Sequence, residues 1–474
     1  MDFPSHKTKI VATIGPASDT PDMLRRLLRA GMSVARINFS HGGFSAHAET
    51  IARVRAAARE EGLPVAVMAD LPGPKIRIGV FEREPVELRR GARFTLTAAD
   101  TPGTEEHVST TLPELPKAVG PGSRIFLNDG TVELRVLRVA DGDVECIVEA
   151  GGELRSRKGL NLPGADLGIR AFTDHDRACL EFALDHGVDA VSQSFVETAA
   201  DIEAVREAAR ARGADPFVIA KIERAGALKH LDGLLAAADG VMVARGDLGV
   251  EVLVEEIALL QKEIIGRANL AGKPVVTATQ MLESMVSSRI PTRAEATDVA
   301  NAILDGTDCV MLSAESAMGR YPEEAVAMLA RIAAATEAQL PPVSPDALRA
   351  RFGAALPADE AEAVAGLVDE ALDRLPCAAV VVPSRTGATA RMVSRGKPPV
   401  WIVALCSTPA AAQGLLFSWG VHPVPLDHPP NDWDVFAHDL FAADTDRGKT
   451  VLLVTGPRLG RPGASHRIEF IPVV

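Results

Sequence analysis

The sequence predicts an α/β protein built on a closed (β/α)8 barrel, with an inserted all-β domain and a C-terminal α/β domain. Eight short apolar runs alternate with helical patterns, and chemically useful polar groups follow seven of them. Alternation of this kind favours a closed barrel over an open doubly wound sheet, and barrels keep their chemistry at the strand ends. The predicted strands span residues 10–14, 33–37, 65–69, 190–195, 217–220, 241–244, 274–278 and 309–312.

The alternation breaks once, between residues 73 and 166. This stretch contains period-two runs separated by Asp-Gly corners, as in IFLNDGTVELRV and ADGDVECIVEA. Such corners are typical of β-hairpins. We therefore expect residues 73–166 to form a β-barrel lid domain inserted into a catalytic barrel of residues 1–72 and 167–340. A lid at a catalytic mouth is favoured over a docking module or an inert insertion.

A proline-rich linker, PPVSP, begins at residue 341 and introduces a third segment of strands and helices. Residues 341–474 are predicted to form an α/β effector and oligomerisation domain. One strand-to-helix turn combines hydroxyls, a glycine and a helix start, which is a possible phosphate cradle or an ordinary capped helix. The turn contains Ser384, Arg385, Thr386, Gly387 and Thr389, and the late loop offers Arg458, Arg461 and Arg467.

Composition limits the possible partners. The net charge of −13 disfavours nucleic-acid binding, which needs a broad basic surface. The five cysteines lie far apart without a C-x-x-C pair, which argues against a zinc site or a disulfide framework. No signal-peptide pattern or membrane-spanning apolar run is present in the sequence, so we expect a soluble cytoplasmic protein.

The segment from residue 216 to 250 is the most informative part of the chain. It is predicted to form strand, helix (225–238) and strand, which would bring Lys221, Glu223 and Asp247 to one end of the barrel. Two carboxylates suit a divalent cation, and a neighbouring ammonium group adds charge that can stabilise an enolate or a phosphoryl group. The alternative is a salt-bridged strand end without catalytic function.

The other barrel strands also end in polar groups. Capping and turn formation account for some of them, but their convergence from so many strands favours a functional site. They are Asn38, Ser40 and His41 after the second strand, Asp70 after the third, Ser194 in the fourth, Thr279 and Gln280 after the seventh, and Ser313 and Glu315 after the eighth.

Eight motifs in order show that the chain resembles the pyruvate kinase family over essentially its full length. They are TKIVATIGPAS at 8–18, RINFSHG at 36–42, DLPGPKIRIG at 70–79, KGLNLPG at 158–164, KIE at 221–223, MVARGDLGVE at 242–251, GKPVVTATQMLESM at 272–285 and PTRAEATDVANAILDGTDCVMLSAES at 291–316. The resemblance implies phosphoryl transfer from phosphoenolpyruvate to ADP, giving pyruvate and ATP. It also implies a homotetramer.

The same resemblance implies individual roles. Glu223 and Asp247 match ligands of Mg²⁺ or Mn²⁺, and Lys221 matches the residue that neutralises the bridging oxygen and the transferring phosphoryl group. Arg36 matches the arginine that binds the substrate phosphate, for which a planar guanidinium is well suited. The backbone amides at Gly246 and Asp247 match contacts to the substrate carboxylate.

Nucleotide-phosphate contacts are matched by Arg77 and Lys158, with Asn38 and His41 nearby. Thr279 matches the threonine on the face where the enolate is protonated. Because an alcohol is a weak acid, we expect a water relay that also involves Ser313 and Glu315. These three residues complete the predicted catalytic set.

The sequence departs from potassium-requiring members of the family at two positions. Lys75 replaces a glutamate and Leu71 replaces a common threonine. We expect the Lys75 ammonium to substitute for K⁺ beside Asn38, Ser40 and Asp70, so that K⁺ is not required.

Two other functions remain open from the residues alone. Metal-dependent barrels that form or cleave C–C bonds beside a pyruvate enolate also use Glu and Asp at strand ends, although they need no nucleotide machinery. A catalytically idle, effector-binding relative is the second alternative. The C-terminal turn is compatible with a sugar bisphosphate, a sugar monophosphate or AMP as effector.

Overall fold

The computed structural model describes residues 3–165, 168–340, 343–353, 360–426, 428, 430, 432–441, 448–455 and 466–473. In these residues no helix is long and apolar enough to cross a membrane.

The chain begins with the first three barrel strands and two helices. Helix α1 starts where the Thr20 side chain accepts a hydrogen bond from the Met23 amide, and it ends at Gly31, whose φ of 117° suits glycine. The elements are β1 (Lys9–Thr13), α1 (Pro21–Ala30), β2 (Met32–Asn38), α2 (Phe44–Glu61) and β3 (Ala66–Leu71).

The insertion follows β3 and is mostly antiparallel, as its hairpin pattern predicted. Its elements are β4 (Val86–Leu88), β5 (Arg93–Thr97), β6 (His107–Ser109), α3 (Leu115–Ala118), β7 (Arg124–Leu127), β8 (Val132–Ala140), β9 (Asp143–Ala150), β10 (Gly152–Leu154) and β11 (Leu160–Asn161). Six strands form one sheet in the order β11-β7-β8-β9-β5-β6, and β10 pairs with β4. These strands enclose an apolar cluster of their own.

The chain then returns to the barrel. Its elements are α4 (Asp174–Asp185), β12 (Ala190–Gln193), α5 (Ala199–Ala211), β13 (Phe217–Ile222), α6 (Ala225–Lys229), α7 (Leu231–Ala237), β14 (Gly240–Ala244), α8 (Arg245–Glu251), α9 (Ile257–Leu270), β15 (Val275–Ala278), α10 (Arg293–Leu304), β16 (Cys309–Leu312), α11 (Ala314–Ala317) and α12 (Pro322–Glu337). Short 3-10 turns span Val254–Glu256 and Glu283–Val286.

The eight predicted barrel strands are confirmed. They close in the order β1-β16-β15-β14-β13-β12-β3-β2, with every neighbouring pair parallel. The single helix expected at residues 225–238 was wrong: His230 has φ −115° and ψ 18°, so α6 and α7 are separate. Gly226 and Gly233 weaken helix propagation in this segment.

The C-terminal segment is the predicted α/β unit. Its elements are α13 (Pro345–Phe352), α14 (Glu360–Arg374), β17 (Cys377–Ser384), α15 (Ala388–Ser394), β18 (Trp401–Cys406), α16 (Pro409–Gly414), β19 (Val421–Pro425), α17 (Trp433–Leu440), β20 (Thr450–Thr455) and β21 (Arg467–Pro472), with a 3-10 turn at Leu415–Phe417. The sheet order is β19-β18-β17-β20-β21, with β21 antiparallel. Arg458 and Arg461 lie outside the described residues, and the exact domain boundaries stay predictions.

The amino ends of the barrel strands are tied together by aspartates that directly precede β12, β14 and β16. Asp189 accepts a hydrogen bond from the amide of Val67 at 2.7 Å and pairs with Arg55. Asp239 makes the equivalent contacts with Val218 and Arg206. In both cases the cation comes from a barrel helix.

The third aspartate, Asp308, instead forms an ion pair with a lysine of the C-terminal unit. Its carboxylate accepts hydrogen bonds from the Val275 amide at 2.9 Å and the Trp419 amide at 3.0 Å, and it pairs with Lys397 at 2.7 Å. Both charged side chains are almost completely buried. The C-terminal unit therefore completes the amino-terminal rim of the barrel.

Candidate active site

The ammonium of Lys221 is fixed near the carboxyl end of β13. Its Nζ lies 2.9 Å from Glu223 Oε1 and 3.2 Å from Asp70 Oδ1, and it donates a 2.5 Å hydrogen bond to Ser194 Oγ. Burial alone would lower the pKa of Lys221, but the carboxylates of Asp70 and Glu223 outweigh it and raise this pKa above its ordinary value. Lys221 is thus a permanent positive charge.

Asp70 links Lys221 to Arg36. Arg36 donates hydrogen bonds through Nε (2.9 Å) and Nη2 to Asp70, and through Nη1 to Thr13 Oγ1 at 2.8 Å. Burial favours a higher pKa for Asp70, but Lys221 and Arg36, with the Ser192 hydroxyl 2.6 Å away, lower it to about 2. The guanidinium is thereby oriented and keeps further N–H groups for an anion.

Glu223 and Asp247 line one cleft between the barrel mouth and the inserted domain. Glu223 accepts a 2.8 Å hydrogen bond from the amide of Phe195. Burial, and secondly the charge of Asp247, raise the pKa of Glu223, while Lys221 opposes the rise. The described residues contain no cluster of three or more His, Cys, Asp or Glu side chains suited to a metal.

Helix α8 begins directly after β14 and carries Gly246 and Asp247 in its first turn. The Gly246 amide donates a 2.8 Å hydrogen bond to Thr279 Oγ1, and that hydroxyl donates to the Ala278 carbonyl at 2.6 Å. Thr279 has a φ of 70°, an uncommon conformation for a β-branched residue. The threonine and the α8 amide are therefore adjacent at the mouth.

Ser313 directly follows β16, and Glu315 lies in the first turn of α11. Glu315 is fully buried and accepts hydrogen bonds from the amides of Ser313 at 2.7 Å and Leu282 at 3.1 Å. Both carboxylate oxygens are thus engaged by backbone. This arrangement suits a role in positioning the two loops better than direct proton transfer.

The outgoing and returning chains of the insertion pair with each other at the mouth. The Ile78 amide donates to the Lys158 carbonyl at 2.9 Å, and Arg77 forms an isolated bridge with Gly159. Burial and the charges of Arg77, Lys75 and Arg36 lower the pKa of His41. Its neighbours therefore form a cationic group near the cleft.

Two of the residues expected at the potassium site accept hydrogen bonds from neighbouring groups. Asn38 Oδ1 accepts the Ser40 amide at 3.0 Å, and the Leu71 carbonyl accepts the Ser194 hydroxyl at 2.7 Å. Within the described residues, Lys75 forms no ion pair with Asp70; its side chain is exposed, and a Cβ on Gly159 would lie 3.8 Å from Lys75 Cε.

The turn between β17 and α15 is stabilised by its own side chains. The Gly387 amide donates to Ser384 Oγ at 2.8 Å, and Thr386 Oγ1 accepts the Ala388 amide at 3.4 Å. Gly387 has a φ of 83°, which favours glycine. Arg385 and Thr386 are exposed, and Thr389 lies in the first turn of α15.

Two contributors to the site were missed by sequence reasoning. Ser192 supports Asp70, and Arg245 donates to the carbonyls of Ala278 and Thr279 at 3.2 and 2.7 Å while pairing with Asp298. Arg245 directly precedes Gly246, so its place after a strand was a usable signal. Ser192 lies inside β12, and its position in the sequence gave no comparable signal.

A closed barrel with an ammonium, an oriented guanidinium and two carboxylates at its mouth defines an enzyme for anionic, oxygen-rich substrates. A family model described as "Pyruvate kinase, barrel domain" matches residues 5–326, and one described as "Pyruvate kinase, alpha/beta domain" matches residues 362–468. The chain belongs to the pyruvate kinase family.

Individual proteins similar to this chain are also pyruvate kinases. The chain is 46% identical to a pyruvate kinase of Thermococcus litoralis, with 100% of both chains covered. It is 36% identical to one of Thermotoga maritima, over 98% of this chain and 99% of the relative. A crystal structure of a pyruvate kinase from Cryptosporidium parvum superposes with a TM-score of 0.89 at 35% identity, covering 99% and 97% of the two chains.

The activity that follows is phosphoryl transfer from phosphoenolpyruvate to ADP, the last step of glycolysis. Enzymes of this family are phosphotransferases that generally use a divalent metal. The alternative of a barrel enzyme for C–C bond chemistry is thereby set aside.

Proposed function

We propose that the cleft binds phosphoenolpyruvate beside Glu223 and Asp247, which hold Mg²⁺ or Mn²⁺. The charge of Asp247 contributes to the raised pKa of Glu223 in the same cleft, and this pair fits a divalent cation, because a bound cation would relieve the repulsion between the two carboxylates. When bound, the cation supplies Lewis-acid charge stabilisation to substrate oxygens. A two-carboxylate site also leaves coordination positions for substrate and water.

Lys221 is the main catalytic residue in this proposal. Its fixed ammonium, 2.9 Å from Glu223, neutralises charge on the enolate oxygen and the transferring phosphoryl group. Arg36, held by Asp70 and Thr13, orients the substrate phosphate through its remaining N–H groups. Together they supply positioning and charge, which are the protein's main contributions to phosphoryl transfer.

The first turn of α8 is proposed to bind the substrate carboxylate through the amides of Gly246 and Asp247. The Gly246 amide donates to Thr279 in this conformation, so substrate binding would free that hydroxyl at the reacting carbon. Thr279 then delivers a proton to the enolate through water. Ser313 and Glu315 act by holding the adjacent loops.

The nucleotide is proposed to bind at the cationic edge of the cleft. Arg77 and Lys158 contact its phosphates, with Asn38 and His41 beside them. The charges of Arg77 and Lys75 contribute to lowering the pKa of His41, so the three side chains are near one another. A group of cations at one edge of the cleft supports the placement of the nucleotide phosphates there. The pairing of the two lid chains would carry Arg77 and Lys158 together when the lid moves.

We also infer that K⁺ is not required. In this conformation Asp70 is already neutralised by Arg36 and Lys221, and Lys75 adds an exposed ammonium at the cleft. The Lys75 side chain would turn from the lid toward Asn38, Ser40 and Asp70 on substrate binding.

Three further properties are proposed from family membership. The chain forms a homotetramer, acts in the cytoplasm and binds a phosphorylated effector at the turn of Ser384, Arg385, Thr386, Gly387 and Thr389. Exposure of Arg385 and Thr386 supports the effector site. Titration with a sugar bisphosphate, a sugar monophosphate and AMP would test it: a lowered KM for phosphoenolpyruvate is expected with one of them, and no change with any would refute the site.

The observation that carries the proposal is the placement of Lys221 between Asp70 and Glu223. A lactate-dehydrogenase-coupled assay with phosphoenolpyruvate, ADP and Mg²⁺ tests the activity. Pyruvate and ATP should form in equal amounts. Pyruvate formation independent of ADP would contradict the proposed function.

A further inference from the structure

We propose that Arg224 and Glu251 are positioning residues that latch the returning chain of the lid to the barrel mouth and thereby set the affinity for ADP. This inference rests on the proposed nucleotide site. It concerns two charged side chains: Arg224, which directly follows Glu223, and Glu251, at the end of α8, whose first turn carries Asp247.

Arg224 links the lid to the loop after β12. Its Nη2 donates a 2.8 Å hydrogen bond to the carbonyl of Ala165, and its Nη1 pairs with Glu197 Oε2 at 2.8 Å. The Arg224 side chain is 14% exposed, so its guanidinium is largely shielded from water, whereas its partner Glu197 is 35% exposed. A guanidinium with one partner on the barrel and one on the lid resists movement of the lid chain.

Glu251 contacts the residue before Ala165. Its carboxylate faces the backbone amides of Ala225, at the start of α6, and Gly164, in the lid chain, and both amides act to lower its pKa. Burial raises the pKa of Glu251, and the Arg224 charge opposes this rise. The Ala165 carbonyl thus faces the positively charged Arg224, and the amide of the preceding Gly164 faces the negatively charged Glu251.

A third contact places the lid tip on the same helix. A Cβ built on Gly130, in the Asn-Asp-Gly corner between β7 and β8, would lie 3.6 Å from Val250 Cγ1 and Cγ2. Val250 directly precedes Glu251 in α8. Helix α8, whose first turn carries Gly246 and Asp247, is therefore close to both the tip and the returning chain of the lid.

The outgoing chain of the lid has a separate anchor. The Gly73 amide donates to Asp176 Oδ1 at 2.8 Å, and Asp176 is fully buried in α4. With that end fixed, the contacts at Gly164 and Ala165 decide whether the paired chains carrying Arg77 and Lys158 stay over the cleft. Loss of the latch should weaken nucleotide binding more than phosphoenolpyruvate binding.

The test uses the full-length protein with Arg224→Ala, Arg224→Lys and, as a matched control, Arg210→Ala. Arg210 is an exposed arginine in α5 with one distant partner, Glu203, at 3.9 Å. KM for ADP and KM for phosphoenolpyruvate are measured separately. Hydrogen exchange of residues 158–165 is followed with Mg²⁺-ADP alone.

Arg224→Ala should raise KM for ADP about tenfold, as expected for loss of one charge-assisted hydrogen bond, and change KM for phosphoenolpyruvate less than about twofold. Hydrogen exchange of residues 158–165 should be faster in Arg224→Ala than in the parent. Arg224→Lys should partly restore the parent's KM for ADP and its exchange rate, and Arg210→Ala should have the parent's values for both. Equal changes in the two KM values, or unchanged exchange, would overturn the latch. Absence of activity in the parent would instead refute the proposed function.

The variant Glu251→Ala tests the contact between Glu251 and the lid chain independently. Glu255→Ala is its control, because Glu255 is exposed. If Arg224→Ala does not fold, Glu251→Ala decides the proposal. A selective rise in KM for ADP with faster exchange at residues 158–165 supports the latch, and parent-like values for both contradict it.

Discussion

The ammonium nitrogen of Lys221 lies 2.9 Å from the Glu223 carboxylate, and both side chains are buried at the end of one strand. This pair combines the group proposed to stabilise the enolate with one proposed to bind the metal. Each therefore controls the charge state of the other, and that coupling has a measurable consequence.

Lys221→Met should shift metal binding to higher pH. Burial and Asp247 raise the pKa of Glu223 whereas Lys221 lowers it, so removing the lysine raises that pKa further. A carboxylate must be deprotonated to bind a metal. The midpoint of Mn²⁺ binding against pH, followed by electron paramagnetic resonance, should increase; an unchanged or lower midpoint would contradict the coupling.

Turnover should be independent of K⁺. The rate in tetramethylammonium buffer should equal that in KCl to within about twofold, because Lys75 supplies the positive charge. Lys75→Glu should create a K⁺ requirement, whereas Lys117→Glu, an exposed lid lysine, should not. A parent enzyme that depends steeply on K⁺ would show that Lys75 does not replace the ion.

Lys397→Met should destabilise the protein by about 3–5 kcal/mol, the usual cost of leaving one buried partner of an ion pair unpaired. Lys397 is the cation of Asp308 at the barrel rim. The double variant Lys397→Met with Asp308→Asn should recover part of the loss. Urea unfolding measures the effect, and a parent-like midpoint for the single variant would mean that the C-terminal unit does not support the rim.

Protonation of His422 should lower the free energy of unfolding of the protein in mild acid. Burial and the charge of Lys9 lower its pKa from 6.5 to about 4. Between these values the unfolded state binds more protons, so stability declines as pH falls from 6.5 to 4, by up to about 3 kcal/mol. His422→Phe should remove that part of the pH dependence, and equal slopes for both proteins in urea unfolding between pH 7 and 4.5 would contradict it.

The sequence predicted the barrel because strand-length apolar runs and helical spacing are local signals. It also placed Lys221, Glu223 and Asp247 at one mouth, since parallel strands bring their carboxyl ends together. The break at His230 was missed because a short helix with two glycines still has apolar residues at helical intervals.

Contacts between strands were harder to predict. Asp70 could be placed at a strand end, but its three partners Arg36, Lys221 and Ser192 come from different strands and depend on side-chain conformation. The same limit applies to Lys75, whose exposed chain lies toward Gly159 in this conformation. Spacing identifies which residues reach the mouth and leaves their mutual contacts open.

The most direct measurement is phosphorus NMR of phosphoenolpyruvate, ADP and Mg²⁺ with the parent, Lys221→Met and the exposed control Lys229→Met. Loss of a preorganised charge at the reacting oxygen should slow transfer by about a thousandfold. We predict conversion of phosphoenolpyruvate and ADP to ATP by the parent and the control, and almost none by Lys221→Met. Undiminished transfer by Lys221→Met would contradict the central role of this lysine.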